Sequence, residues 1–316
     1  MTSKGIRRGV KAGVVIIATS ALAATSGEAR VSAPTDVVVA VPEVTKPDPL
    51  ADFVDSLGGR SGKLKARIVP PHRTGTIRVL QRMFGDSAER RPGVYTASDS
   101  ASGTNFSFIT LLPFQARTRG VLGGYRIGYW PGERRGELPD DKRPDGFIEV
   151  TRLNQGTALS EHFQLRDFLT HDQQSVWPKY LVLREALVDK LELIITDLQS
   201  RGVTVTNLRV MSGFRTPQYN ALGVGAKGGR ATDSRHQYGD AADVFVDNDR
   251  DGRMDDLNRD GRIDTRDARF LMESVERVER QHPDIVGGAG LYKATRAHGP
   301  FVHVDVRGSR ARWGTG

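Results

Sequence analysis

The chain contains no cysteine in 316 residues. That excludes disulfides, a lipid anchored through cysteine and any zinc site built on thiolates. Aromatic residues make up only 7% of the chain. The basic residues are scattered and not interleaved with aromatics, so nucleic acid is not an expected partner. The glycine-rich stretch 223–229 lacks a lysine followed by Ser or Thr, which excludes a phosphate loop and leaves a mobile surface loop. Long apolar runs are missing too. The run from Ala12 to Ala24 is too short for a comfortable membrane span. It follows Lys4, Arg7, Arg8 and Lys11 and ends near Ala21-Leu22-Ala23, the pattern of a signal peptide over residues 1–24. The expected location is therefore the cell envelope, periplasmic or extracellular, with no membrane span once the leader is removed. Removing its four bases leaves 42 basic against 38 acidic residues, a mild +4 that suits an anionic cell-wall setting.

Residues 25–60 are rich in Val, Pro, Ala and Thr, lack helical periodicity and read as an extended linker. Residues 61–154 read as a small all-β domain. Thr76 to Met83, Gly93 to Ala97, Phe106 to Pro113, Tyr125 to Trp130 and Gly146 to Thr151 are short β-branched and aromatic runs between turn clusters. From 155 to 316 the pattern is α+β. Ser160 precedes an apolar-periodic run to Phe168, a helix start. Tyr180 to Ser200 carries a 3.6-residue apolar period that Gly202 closes, and Val203 to Met211 follows as a strand.

Two short stretches carry chemistry. The first holds Ser212-Gly-Phe-Arg215 and then Ser234-Arg-His236-Gln-Tyr-Gly239-Asp-Ala-Ala-Asp243. The second is Phe301-Val-His303-Val-Asp305-Val306. Gly239 permits a tight turn between His236 and Asp243, and Asp243 opens a buried strand. Alternation puts Phe301, His303 and Asp305 on one strand face and the valines on the other. Two imidazoles and a carboxylate, His236, Asp243 and His303, make a plausible three-ligand Zn²⁺ site with a fourth position left for water.

These motifs, with Leu159 to Phe168 and the closing Gly287-Gly-Ala-Gly-Leu-Tyr292 and Arg307 to Trp313 phrases, resemble the M15 family of D-Ala-D-Ala metallopeptidases, which shares its metal site with the hedgehog-type fold. The likeness spans roughly Leu159 to Trp313. It implies a zinc peptidase domain acting on peptidoglycan peptides. His162 and His171 are then structural or exposed, and Arg215 lies beside the metal to bind a substrate carboxylate or polarise the scissile carbonyl. The chain departs from the family at the general base. Many members carry an acidic residue three before the final histidine, where Pro300 stands; others carry a histidine two before it, where Phe301 stands. The base is either His298 or Asp305, and Asp305 is alternatively the third ligand with His303 as base.

Between the two motifs lies an acidic insertion, 247–267. Asp247, Asp249 and Asp251 precede Gly252, and a second copy places Asp256, Asn258 and Asp260 before Gly261. Arg262, Asp264 and Asp267 then fall at the seventh, ninth and twelfth positions. Both copies follow the spacing of an EF-hand-type calcium loop, and the second resembles a dockerin loop. The first copy ends in Asn258 and overlaps the second. The expected cofactors are therefore Zn²⁺ and Ca²⁺.

Overall fold

In a computed structural model of the protein, residues 14–19, 38–40, 58–71, 80–86, 88, 91–99, 105–225 and 229–314 are described. Among these the fold is mixed α+β. The expected leader and linker lie outside the described residues apart from two short strands and residues 58–60. The strands are β1 (Val14–Thr19) and β2 (Val38–Ala40), which pair antiparallel. They join β3 (Ala66–Val69), β4 (Gly93–Asp99) and β5 (Asn105–Thr110) in one sheet of order β2-β1-β4-β5-β3. Among the described residues no helix is long and apolar enough to cross a membrane.

The strand expected over Thr76 to Met83 is not found in the described part of that range. Residues 76–79 lie outside the described residues, and residues 80–84 are helical. Leu80, Met83 and Phe84 are spaced i, i+3, i+4, so one helical turn sends all three onto Tyr95, Phe106 and Phe108. Phe84 lies 5.4 Å from Tyr95 and 6.2 Å from Phe108, ring centre to ring centre.

A second sheet joins β6 (Leu112–Pro113), β9 (Gly146–Val150) and β10 (Lys179–Leu181) in the order β10-β9-β6. A hairpin of β7 (Val121–Leu122) and β8 (Tyr125–Arg126) lies between them in the chain. The run expected as one strand to Trp130 pairs only at its first two residues, because Gly128 sits at φ 86 and meets Gln218. Tyr180 belongs to β10, opposite Glu149, and not to the following helix. Helix α1 begins only at Glu185 and runs to Ser200. It ends as the sequence predicts. Gly202 takes φ 80 and donates to Gln199, and Val203 donates to Leu198, closing the last carbonyls. The core does not divide at residue 154, and one apolar cluster runs from Leu64 through Phe147 and Leu187 to Val304.

The third sheet carries the site. Its order is β11 (Leu208–Ser212), β12 (Ala241–Val246), β14 (Phe301–Asp305), β13 (Gly288–Tyr292) and β15 (Ala311–Trp313). Neighbours are antiparallel except β13 and β15. Helix α2 (Pro217–Ala221) starts where Thr216 accepts from the Tyr219 amide, and α3 (Thr265–Gln281) is capped by Asp264 and Asp267 reciprocally. Ala268, Leu271, Met272, Val275 and Val278 form the apolar stripe of α3 and join Val302 and Val304 in the core. Arg277 grips Asp197 with two hydrogen bonds of 2.9 and 2.7 Å, tying α3 to α1.

Candidate metal centre

Pairing in the third sheet puts the site together. Asp243 stands opposite His303, Gly290 flanks His303 on the other side, and Tyr292 stands opposite Phe301. His236 arrives from the turn 235–238, which Gly239 ends at φ 67. A Cβ on Gly239 would overlap the Val182 carbonyl, so the turn requires glycine at this point. Phe301, His303 and Asp305 share one face, as the alternation predicts, with Val302 and Val304 fully buried on the other.

His236 Nε2, Asp243 Oδ1 and His303 Nδ1 converge. His236 Nε2 is 3.1 Å from His303 Nδ1 and 3.3 Å from Asp243 Oδ1, and His303 Nδ1 is 2.9 Å from Asp243 Oδ1. Ligand atoms at zinc–nitrogen and zinc–oxygen bond lengths in a tetrahedral shell lie about 3.3 Å apart, so this triangle has the size of one face of that shell. All three side chains are buried.

The outer atoms of the same groups set their protonation. His236 Nδ1 is 2.7 Å from the Gly213 carbonyl, which only accepts, so Nδ1 carries the proton and Nε2 presents a lone pair. His303 Nε2 is 3.2 Å from Asp305 Oδ2 and donates to it, which turns Nδ1 inward as its other nitrogen. Burial pushes the His236 imidazole down, against the pull of Asp243. Burial works the same way on His303, but the carboxylates of Asp243 and Asp305 outweigh it and raise its pKa. Burial would raise Asp243, yet the two histidines hold its carboxyl well below the usual range.

Arg215 sits against this cluster. Its Nε donates to Ser212 Oγ at 2.8 Å and its Nη2 to Asp243 Oδ2. Its Nη1 has no hydrogen-bond partner among the described residues. Asp305 stands behind His303, facing away from the three converging atoms. It accepts from the Gly288 amide at 2.7 Å and from Arg307 through Nε and Nη2, and it is fully buried. The geometry therefore makes it the partner of His303 and does not bring it to the three converging atoms, either as a third ligand or as a base. His298 is half-buried, with its ring edge-on to Phe301 at 5.0 Å. Its Nδ1 donates to the Gly299 carbonyl at 2.8 Å, which puts the lone pair of the neutral ring on Nε2. His162 pairs with Glu192 and His171 with the Met211 carbonyl, and neither joins the cluster.

Three residues take part in the site without a role that the motifs assign. Arg307 continues the same face two residues beyond Asp305, so the alternation contained it. Trp313 lies 5.1 Å from the His303 ring and donates to Tyr292 Oη at 3.0 Å. It fits there because Gly290 has no side chain, and a Cβ would strike the indole. Lys190 is buried on α1 and donates to the Asp305 carbonyl at 2.7 Å, to Ile285 at 3.1 Å and to Glu279 at 2.6 Å. Its position on the apolar stripe of α1 gave no sign of that task.

The acidic insertion folds as two loops of one conformation. Arg250 and Gly252 in the first, and Arg259 and Gly261 in the second, take positive φ at equivalent positions. The Gly252 amide donates to Asp247 and the Gly261 amide to Asp256, at 3.3 and 2.8 Å. The carboxylates differ. Asp247, Asp249 and Asp255 come together, with ligand atoms all within 4.8 Å of one another. Burial raises the Asp255 carboxyl, the Asn248 amide lowers it, and the nearby Asp249 and Asp247 charges add to the rise. Asp251 instead accepts from the Arg253 amide. In the second loop Asp260 and Asp264 pair with Arg266, and Asn258 accepts from the Asp260 amide. The Arg262 amide donates to Asp260 at 3.0 Å. Asp267 is buried and accepts from the backbone of Leu257, Asn258 and Asp264.

No protein-family model matches the chain, and neither a curated protein nor a solved structure matches it.

Proposed function

We propose that the chain is an exported zinc metallopeptidase that hydrolyses peptidoglycan stem peptides next to D-Ala, as a carboxypeptidase or an endopeptidase, on an M15 hedgehog-type fold. One observation carries the reading. Two buried imidazoles whose outer nitrogens are spent on Gly213 and Asp305 aim their inner nitrogens at a carboxylate oxygen, at the spacing of a tetrahedral zinc shell. Zinc held there would supply Lewis acidity toward a water and toward the scissile carbonyl.

The chain's own residues divide the remaining work. Arg215 holds the second oxygen of Asp243 and keeps Nη1 for a substrate carboxylate or the developing oxyanion. His298, whose Nδ1 is held by the Gly299 carbonyl, turns Nε2 to the general base's task in its neutral form. Asp305, with Arg307, fixes the ring of His303. Calcium belongs to the first loop, where Asp247, Asp249 and Asp255 converge, and its role is to order the segment that follows β12.

A second reading, a catalytically silent wall-binding module or calcium-dependent structural protein, is favoured by one feature. Pro300 stands where a family carboxylate would act as base, and Asp305 faces away from the centre. Digestion of purified peptidoglycan by the zinc-loaded protein, with products identified by mass spectrometry, decides between them. Release of D-Ala or of cleaved cross-links supports the peptidase. A zinc-loaded protein that releases nothing supports the module.

A further inference from the structure

The hairpin of β7 and β8, the turn after Trp130 and α2 line an open cavity of about 490 Å³. Arg119, Arg126 and Arg134 line it and are exposed, and no Asp or Glu lines it. The carboxylates nearby are already committed. Glu133 pairs with Arg117, and Glu137 with Arg135 at 2.7 Å. Among the described residues Arg119, Arg126 and Arg134 have no ion-pair partner, so three guanidinium groups surround one cavity uncompensated.

The walls are fixed. Arg117 is packed beneath Tyr129 and Trp130, 5.5 and 5.0 Å from their ring centres, and donates to the Gly128 carbonyl. Arg134 lies over Tyr129 at 4.1 Å. The Gly128 amide donates to Gly120 at 2.9 Å, closing the loop on itself. The Gln218 amide of α2, three residues past Arg215, donates to Ile127 at 3.0 Å. Trp130 Nε1 donates to the carbonyl of Gln237, next to His236, at 2.9 Å. The basic cavity and the metal centre are thus braced on the same two segments.

Guanidinium forks match carboxylates in a planar, two-bond geometry, and the aromatic floor supplies an apolar contact beside them. We propose that this cavity binds a carboxylate-bearing segment of the substrate peptide, away from the bond that is cleaved. The identity of that ligand rests on the peptidase reading above, while the existence of an anion-binding cavity does not.

The test uses the full-length, zinc-loaded protein and labelled soluble muropeptides with free carboxylates, followed by fluorescence anisotropy. The same muropeptides with amidated carboxylates, and inorganic polyphosphate, are the other arms. The variant combines Arg119→Gln, Arg126→Gln and Arg134→Gln, with zinc content and melting temperature as checks on folding. Binding should weaken about tenfold in the variant, as expected for three solvent-exposed charge pairs, and should fall with added salt. Amidation of the ligand should cause the same loss in the unaltered protein, which needs no variant. Equal binding by variant and wild type, equal binding of amidated and free muropeptides, or preference for polyphosphate would each overturn the proposal. Cleavage of a minimal D-Ala-D-Ala peptide should be unchanged in the variant. Failure of the wild type to cleave it would count against the peptidase reading while the binding result stood on its own.

Discussion

His303 and Asp305 are two residues apart on β14, and their side chains meet at 3.2 Å through Nε2 and Oδ2. The contact decides what the rest of the centre can do. With Nε2 held as a donor, the inner nitrogen of His303 faces Asp243 and His236. Against burial, the His303 hydrogen bond, with Arg307 and the Gly288 amide, holds the Asp305 carboxyl well below the usual range and in place. The orientation of the His303 ring therefore depends on Asp305 and on the groups that grip it. A carboxylate used this way is unavailable as a base.

The metal assignment predicts a graded series. His236→Ala should lose most of the zinc, because two ligands and a water hold it poorly. Asp305→Asn should still bind zinc, with affinity reduced about 10- to 100-fold, the usual cost of losing an outer partner. Competition with a chromogenic chelator measures both. Equal zinc affinity in His236→Ala and wild type would remove the assignment.

The pH dependence follows from His303. Its raised pKa means that without metal His303 holds a proton toward Asp243 up to higher pH than a free imidazole does. Zinc must displace that proton. Zinc affinity should therefore fall as pH drops and His303 protonates, with proton release accompanying zinc binding in that range. Calorimetry in buffers of different ionisation enthalpy counts it. In the metal-free chain the His303 contribution to stability has the opposite sense: it is present in full below the unfolded value near 6.5 and is lost as pH rises through the folded one.

Catalysis should separate from metal binding at two positions. Arg215→Ala should lower hydrolysis by at least ~10²-fold while zinc is retained, as expected for loss of an oxyanion or substrate-carboxylate contact. His298→Ala should abolish turnover and leave zinc affinity unchanged, since its ring lies on the Phe301 side and holds no ligand. Turnover in His298→Ala equal to wild type would return the base to an unassigned group.

Much of this centre was readable before the fold. His236, Asp243 and His303 sit in short motifs whose turn glycine and strand alternation fix their direction, and that information is local. The α+β class came from the periodicity of α1 and the alternation of β14. What failed was local information overruled by distant pairing. Tyr180 follows the helical period but pairs across to Glu149 in β9. Thr76 to Met83 is β-branched at its start, yet Leu80, Met83 and Phe84 find their core through a helical turn. Lys190 was invisible because its three acceptors, at Glu279, Ile285 and Asp305, lie about a hundred residues away.

Lys190 supplies a stability test. Its ammonium is buried, and burial lowers its pKa against the pull of Glu279. Lys190→Ala leaves Glu279 buried beside Arg312 with one partner gone and two carbonyls unmet. The expected loss is about 3–5 kcal/mol, the range for breaking a buried ion pair. Lys190→Met with Glu279→Gln should recover part of it. Chemical denaturation compares the three, and a loss below ~1 kcal/mol in Lys190→Ala would mean that the pair is not buried as described.

The last prediction separates the two acidic loops. Their backbones are alike, with positive φ at Arg250 and Gly252 and again at Arg259 and Gly261. Their carboxylates are not. In the first, among the described residues only Asp247 has an arginine partner, Arg209 at 2.8 Å. Asp249 and Asp255 crowd against it, and this repulsion adds to the burial that raises Asp255. In the second, Arg266 neutralises Asp260 and Asp264, and Asp267 is turned onto backbone amides at the start of α3. A divalent cation relieves repulsion only where it exists, so calcium should bind once, in the first loop. Asp249→Ala should abolish the calorimetric binding signal and the calcium-induced rise in melting temperature. Asp260→Ala should leave both in place. Because Asp247 directly follows β12, which carries Asp243, calcium should also slow zinc release from the wild type, and Asp249→Ala should remove that effect. Two equivalent calcium ions per chain, or loss of binding in Asp260→Ala alone, would place the cation in the second loop and overturn this assignment.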